Sequence, residues 1–545
     1  MRARRIVAGV TVAAVLVGGA GAAWFAFGRP GLARNAEVGT EAVAVANRLP
    51  QTAPVAQVPN LAWGPSVVDL AEATVAASHV PLEVAAGQVL VAYWNSPAAA
   101  GAVALVRDSH VAGVILMRGA VVDADQVKRL TSAVADAAVA DGRDWPAVIS
   151  TDQEGGPVAR LDGILPELPA FMAAGAATDK DSVTQTYAAV ARDMADLGFT
   201  VNWAPIADVT VGLDDPVIRV RSAGSDPQNV ADTVIAAVIG FMSGGVAPAV
   251  KHFPGHGSVT TDSHEALPVQ SATVADFAER DLVPFAQAID AGAPMVMMGH
   301  ISVAEWGGGP STTNPQAYAY LRDELHFSGV AVTDALNMAA VTDGLEAGDS
   351  EVAALAAGAD LLLLPREPET ARKAIVAAVT NGTLPRSRLD QAIARVSLLM
   401  SAQSEWAATS EAAGDDPAYA RGFAASSATV AAPECGTRLV GDSVQISGGW
   451  PGERQALADA LAPYGVTQGG GTSIQLLGSP SGTGDADIVV AMDGPWGLPA
   501  SRASVYIGLY GRSQDALAGL ADVLVGQVQP HGQWPVGGMP GTPCG

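Results

Sequence analysis

Between Lys251 and His264 the chain reads KHFPGHGSVTTDSH, a stretch that holds three of its eight histidines together with a lysine and an aspartate. Three chemistries fit such a cluster. His252, His256 and His264 with Asp262 offer enough donors for zinc. Their spacing matches no short zinc signature, however, and the segment begins in an apolar, strand-like run, so no metal is expected here. A glycine-rich stretch of this kind also suits a solvated loop. The third chemistry is proton transfer. A histidine that titrates near neutral pH gives and takes protons when a carboxylate orients it, and Asp262 stands two residues before His264. Such a pair serves the hydrolytic triads, but the region has neither a G-x-S-x-G serine nor a cysteine to act as nucleophile. A carboxylate remains. Asp334, in AVTDALNM, is the best placed, and its alternative is a helix N-cap.

These residues need a scaffold. Eight apolar runs are spaced along the chain: QVLVAYW (88–94), VAGVILM (111–117), PAVIST (146–151), TVNWAPI (200–206), VAPAVKHF (246–253), APMVMMGH (293–300), VAVTDAL (330–336) and ADLLLLP (359–365). Continuous apolar runs mark strands buried on both faces, as in parallel sheets. Between them lie segments of helical spacing, among them 123–142 and 182–198, the latter stopping at Gly198. The alternation predicts a TIM-like (β/α)8 barrel over 61–405, with a doubly wound open sheet as the other architecture. In a barrel, functional residues sit at the C-terminal ends of strands. DQEGG, KHFPGHG, the GH of 299–300 and TDALNM all fall there. A polar connector is expected over 406–424. A smaller α/β sandwich is expected over 425–545, with strands in DIVVAM and SVYIGLY and one amphipathic helix in SQDALAGLADVLVG.

Composition narrows the function. A net charge of −25 and a pI of about 4.5 repel phosphate backbones and argue against nucleic-acid binding. At the N-terminus, three arginines in MRARR precede an uncharged, mostly apolar run from Ile6 to Phe27. Residues 1–28 therefore read as a signal peptide or a membrane anchor, followed by a linker over 29–60. Either way the body is expected to be exported, secreted or anchored to the outer face of the cytoplasmic membrane. In an exported chain the two cysteines, Cys435 and Cys544, are expected to form a disulfide; two free thiols are the alternative.

The pattern KHFPGHGxxxxDSH resembles the signature of bacterial β-N-acetylglucosaminidases of glycoside hydrolase family 3. The resemblance continues, in order, through DQEGGxVxRL (152–161), FTVNWAPIADV (199–209), RSAGSDP (221–227) and TDALNM (333–338). The C-terminal YGRSQDALAGLADVLVGQVQPHGQWPV is similar to the end of the second domain in two-domain members. The resemblance implies Asp334 as nucleophile, His264 as acid/base and Asp262 as its dyad partner. It implies Asp152 as the residue that holds sugar hydroxyls, and Arg160, Arg221, Lys251 and His252 as ligands of the N-acetylated sugar. One position departs: Pro157 stands where the family usually has arginine, while Arg160 is kept.

The implied activity is a retaining exo-β-N-acetylglucosaminidase, without cofactor, acting on wall-derived or related β-linked GlcNAc glycosides. A histidine acid/base avoids a second anion beside an anionic acceptor, so a GlcNAc phosphorylase is an alternative, as are a broader β-glucosidase and a catalytically inactive wall-binding protein. Glu154 reads as structural, packing under its loop, and His256 as a hydrogen-bond donor that holds its turn. His300 is left open. Trp203 and Trp306 fit packing as well as sugar platforms.

Overall fold

The computed structural model describes residues 60–342, 346–411 and 417–545. The expected leader, and the linker up to Pro59, lie outside the described residues.

All eight apolar runs are strands. They are β1 (Leu90–Trp94), β2 (Gly113–Leu116), β3 (Val148–Thr151), β4 (Val201–Asn202), β5 (Ala247–Pro248 continued by Val250–Phe253), β6 (Met295–Met298), β7 (Val330–Thr333) and β8 (Leu362–Leu363). Every neighbouring pair is parallel, and the ring closes where β8 pairs with β1 and Leu361 bridges to Val332 of β7. This is the (β/α)8 barrel.

Strand alternation explains why the runs are apolar throughout. Val91, Ile115, Val148, Val201, Met297, Val332 and Leu363 meet in one cluster inside the barrel, around the fully buried Trp203. Their neighbours Leu90, Val114, Ile149, Val296, Ala331 and Leu362 point outward and pack against the helices. With both faces covered, no polar alternation survives. The helices start and stop on local signals. Asp179 caps Lys180–Asp196 by accepting from the Asp181 and Ser182 N–H groups, and Gly198, at φ 85°, ends it.

The connector is more helical than its polarity suggests. Helix Arg386–Thr409 runs through position 405, and helix Tyr419–Ser427 begins before 424. Alanines and Glu405 favour helix, and the tertiary packing of its buried face extends it. Beyond lies a six-stranded sheet in the order Thr429–Ala431, Val505–Gly508, Ile488–Ala491, Thr472–Leu477, Ser443–Gly448, Thr467–Gln468. Only the first of these strands is antiparallel to its neighbour. One face packs Ile474, Val490 and Ile507 against the helices, including Gln514–Leu524; the other packs Leu477 and Val489 against Leu498 and Trp534.

Cys435 and Cys544 form a disulfide across 109 residues. A cross-link of that span strongly restricts the unfolded chain. The sheet region docks on segments that follow β3 and β4: Ala170 N–H donates to Tyr510 O, Gln533 N–H to Ala176 O and Ser225 N–H to Pro535 O.

Candidate active site

The C-terminal strand ends surround a cavity of about 320 Å³ lined by Asp152, Glu154, Arg160, Arg221, Lys251, His252, His256, His264 and Asp334, among others. Residues from separate stretches of the sequence thus converge on one end of the barrel, and every residue expected in the site lines it except Asp262, which contacts His264 instead.

One wall is a buried charge network. Lys251, at the end of β5 and 3% exposed, donates to Asp152 Oδ1 at 3.0 Å and pairs with Glu154 Oε1 at 2.7 Å. Arg221 makes a two-pronged pair with Glu154, both contacts at 2.9 Å. Charges this deep need partners, because removal from water costs several kcal/mol per ion. Glu154 is 2% exposed, and burial alone raises a carboxyl's pKa; Arg221 and Lys251 outweigh it and bring the group down to about 2. Burial likewise works against the Lys251 ammonium, but Glu154 and Asp152 raise its pKa, so it stays charged. Glu154 is therefore more than packing under a loop: it is the common anchor of two cations that face the cavity.

Asp208, in the segment that follows β4, was not singled out from the sequence. It is fully buried. Its Oδ2 accepts from His252 Nδ1 at 2.7 Å, and its Oδ1 accepts from the backbone N–H groups of His252 and His256. Burial would raise its pKa, yet His252 and the His256 N–H outweigh that and lower it. This bond fixes the His252 ring with Nε2 left for the cavity. An aspartate at the end of an apolar run, TVNWAPIAD, was the signal available.

Asp334 follows β7 directly, its N–H donating to Met298 O. Its Oδ1 accepts from the Ala335 N–H at 2.7 Å, and the next helix starts only at Ala339, so the N-cap alternative does not hold. Burial pushes its pKa up; His300, His252, the Ala335 N–H and Lys251 together outweigh this and hold it at about 2. The group is therefore an anion at neutral pH. His300 is buried beneath it, bonded to Thr312 Oγ1 and Ala335 O, and does not line the cavity.

His264 stands at the rim. Its side chain is 64% exposed, and its Nδ1 and backbone N–H both reach Asp262 Oδ1, at 2.8 and 2.9 Å. Burial raises the Asp262 pKa, but the hydrogen bonds and charge of His264 outweigh it and the pKa is lowered. Tyr93, at the end of β1 and 46% exposed, adds an aromatic face to the cavity that sequence reasoning missed. Trp203 fills the barrel interior and Trp306 packs on Phe253, Phe277 and Tyr320, so neither is a platform here. Pro157 lines a neighbouring cavity rather than this one. Among the described residues no cluster of three or more His, Cys, Asp or Glu is arranged to hold a metal ion.

The arrangement can bind a neutral, hydroxyl-rich molecule through Asp152, Arg160, Arg221, Lys251 and His252. It also presents the ionised carboxylate of Asp334 and, at the rim, the carboxylate-oriented histidine His264.

Residues 82–399 match the family described as "Glycosyl hydrolase family 3 N terminal domain". The chain is 35% identical over 281 residues to beta-hexosaminidase A of Pseudoalteromonas piscicida, a match that takes in 48% of this chain and 47% of the relative. It is 32% identical over 317 residues to beta-hexosaminidase LpqI of Mycobacterium tuberculosis, covering 55% of this chain and 78% of that one. The chain thus spans about half the length of the first relative and over three quarters of the second. Among solved structures it is similar to a glycoside hydrolase family 3 beta-N-acetylglucosaminidase from Paenibacillus sp. str. FPU-7. That structure matches with a TM-score of 0.73 and 26% identity, over 84% of this chain and 99% of that one.

Proposed function

The chain belongs to glycosyl hydrolase family 3, and on that premise we propose that it is a retaining exo-β-N-acetylglucosaminidase acting on terminal β-linked GlcNAc of wall-derived or related glycosides. The observation that carries this reading is the pairing, in one cavity, of an ionised Asp334 with the Asp262-oriented His264. In the first step the Asp334 carboxylate attacks the anomeric carbon. The imidazolium of His264 gives its proton to the glycosidic oxygen, and the aglycone leaves. In the second, neutral His264 takes a proton from water, the water oxygen displaces Asp334 from the glycosyl ester, and the sugar departs with its configuration kept. Asp262 fixes the ring and steadies its positive form. Asp152 holds sugar hydroxyls, and Arg160, Arg221, Lys251 and His252 bind the N-acetylated sugar.

Aryl β-glycosides test this. Wild type is expected to release the aryl group from GlcNAc glycosides far faster than from glucose glycosides, to be insensitive to phosphate, and to give the β-anomer first by NMR. His264→Ala is expected to lose about 10²–10⁴-fold on poor leaving groups and much less on dinitrophenolate, which needs no proton. Faster turnover with phosphate, yielding a sugar phosphate, would replace hydrolysis by phosphorolysis. A preference for glucose would replace the hexosaminidase with a β-glucosidase, and binding without turnover would leave a wall-binding protein.

The same reading places the enzyme outside the cytoplasm. The disulfide between Cys435 and Cys544 supports an oxidising compartment, in keeping with the arginine-led apolar segment at the N-terminus.

A further inference from the structure

His264 has to reach a glycosidic oxygen from an exposed loop, and the structure shows little that holds that loop. Among the described residues, from Thr260 to Leu267 a single hydrogen bond leaves the loop for the rest of the barrel: His256 Nε2 with Ser263 Oγ, at 3.0 Å. The other bonds of this segment are internal. Asp262 Oδ1 accepts from His264, and Asp262 O accepts from the Glu265 and Ala266 N–H groups. Both ends of the single tie are buried, His256 and Ser263 each being 2% exposed, although Ser263 sits between two exposed or half-exposed partners.

The anchor end is firmly seated. Asp208, which orients His252, also accepts from the His256 N–H at 2.7 Å. The next residue, Gly257, lies so close to the preceding strand-end loop that a Cβ would stand 2.4 Å from Val209 O, and its own carbonyl accepts from Val211 N–H at 2.9 Å. Burial outweighs the favourable charge of Asp208 and brings the His256 pKa down to about 4, so the ring is neutral at working pH and acts through hydrogen bonding rather than charge. One carboxylate thus seats the sugar-side histidine His252 and, through His256 and Ser263, the loop that carries His264.

We infer that the His256–Ser263 hydrogen bond is a clasp that sets the Asp262–His264 pair at the cavity rim, which makes His256 and Ser263 positioning residues for proton transfer. The inference rests on the reading of His264 as acid/base, so it is tested with one readout that needs no turnover and one that does. In the full chain, Ser263→Ala is expected to raise amide hydrogen exchange about tenfold in peptides covering 260–267 and nowhere else, the consequence of losing the only tie. With aryl β-GlcNAc glycosides it is expected to steepen the dependence of kcat/KM on leaving-group pKa. Poor leaving groups would lose roughly ten- to hundredfold and dinitrophenolate only a fewfold, a weaker copy of His264→Ala. Ser263→Thr keeps the hydroxyl and is expected to restore both readouts, while His256→Gln provides a second way to cut the tie. Unchanged exchange in Ser263→Ala and His256→Gln overturns the clasp even if His264 proves to be the acid/base. Faster exchange with an unchanged leaving-group slope overturns the positioning role. If His264→Ala itself shows no leaving-group effect, the acid/base reading fails, and the exchange result alone decides whether the clasp holds the loop.

Discussion

Asp334→Ala is expected to lower kcat/KM for 4-methylumbelliferyl β-N-acetylglucosaminide by roughly 10⁴-fold or more, the scale on which covalent enzymes lose activity without their nucleophile. The structure makes the loss specific. No other carboxylate at the cavity is free to replace it: Glu154 is committed to Arg221 and Lys251, and Asp152 accepts from Lys251. The Asp334 side chain makes one hydrogen bond, from the backbone N–H of its own neighbour Ala335, so its removal breaks no distant hydrogen bond. The thermal unfolding midpoint is expected to stay close to that of wild type, which separates lost chemistry from lost fold. Added azide, small enough for the vacated space, is expected to return part of the rate and to give the α-glycosyl azide. Full activity in Asp334→Ala contradicts the mechanism.

The second large effect is on stability. Glu154→Ala leaves the Lys251 and Arg221 charges buried and facing one another, a change expected to cost about 3–5 kcal/mol and to abolish measurable sugar binding with it. Glu154→Gln keeps the shape and one acceptor, and should fall between the variant and wild type. The pH dependence has a definite sign. The folded-state pKa of Glu154, about 2, lies below the ordinary carboxyl value of 4.5. Its ionisation therefore contributes stability that is fully present above the ordinary value and is lost as pH falls from there through about 2. Urea midpoints measured across that acid range should drop steeply for wild type and less steeply for Glu154→Gln. Equal slopes would show that the network is not what stabilises this end of the barrel.

The barrel was legible because both faces of each strand are covered. Val91 and Leu90 enter different clusters, but both are buried, so the sequence carries an unbroken apolar run. The ends of those runs pointed to Asp334, Lys251 and His252 for the same reason: a charge at the edge of an apolar strand has a function or a partner. What stayed hidden is tertiary. Asp208 and His252 are 44 residues apart in sequence, and Lys251 and Asp152 are 99 apart. No local pattern predicts that Glu154 rather than Asp152 collects both cations. The extension of helix Arg386–Thr409 into the expected connector reflects packing that overrides a polar composition.

The covalent bond between Asp334 and the sugar is the most direct test of the mechanism. Incubation with a 5-fluorinated N-acetylglucosaminyl fluoride slows the second step more than the first and lets the glycosyl enzyme accumulate. Peptide mass spectrometry is expected to find one sugar per chain, in the peptide containing Asp334, and no label in Asp334→Ala. A label on any other residue, or turnover of the reagent with no covalent adduct, would contradict the assignment of Asp334 as nucleophile and the retaining mechanism built on it.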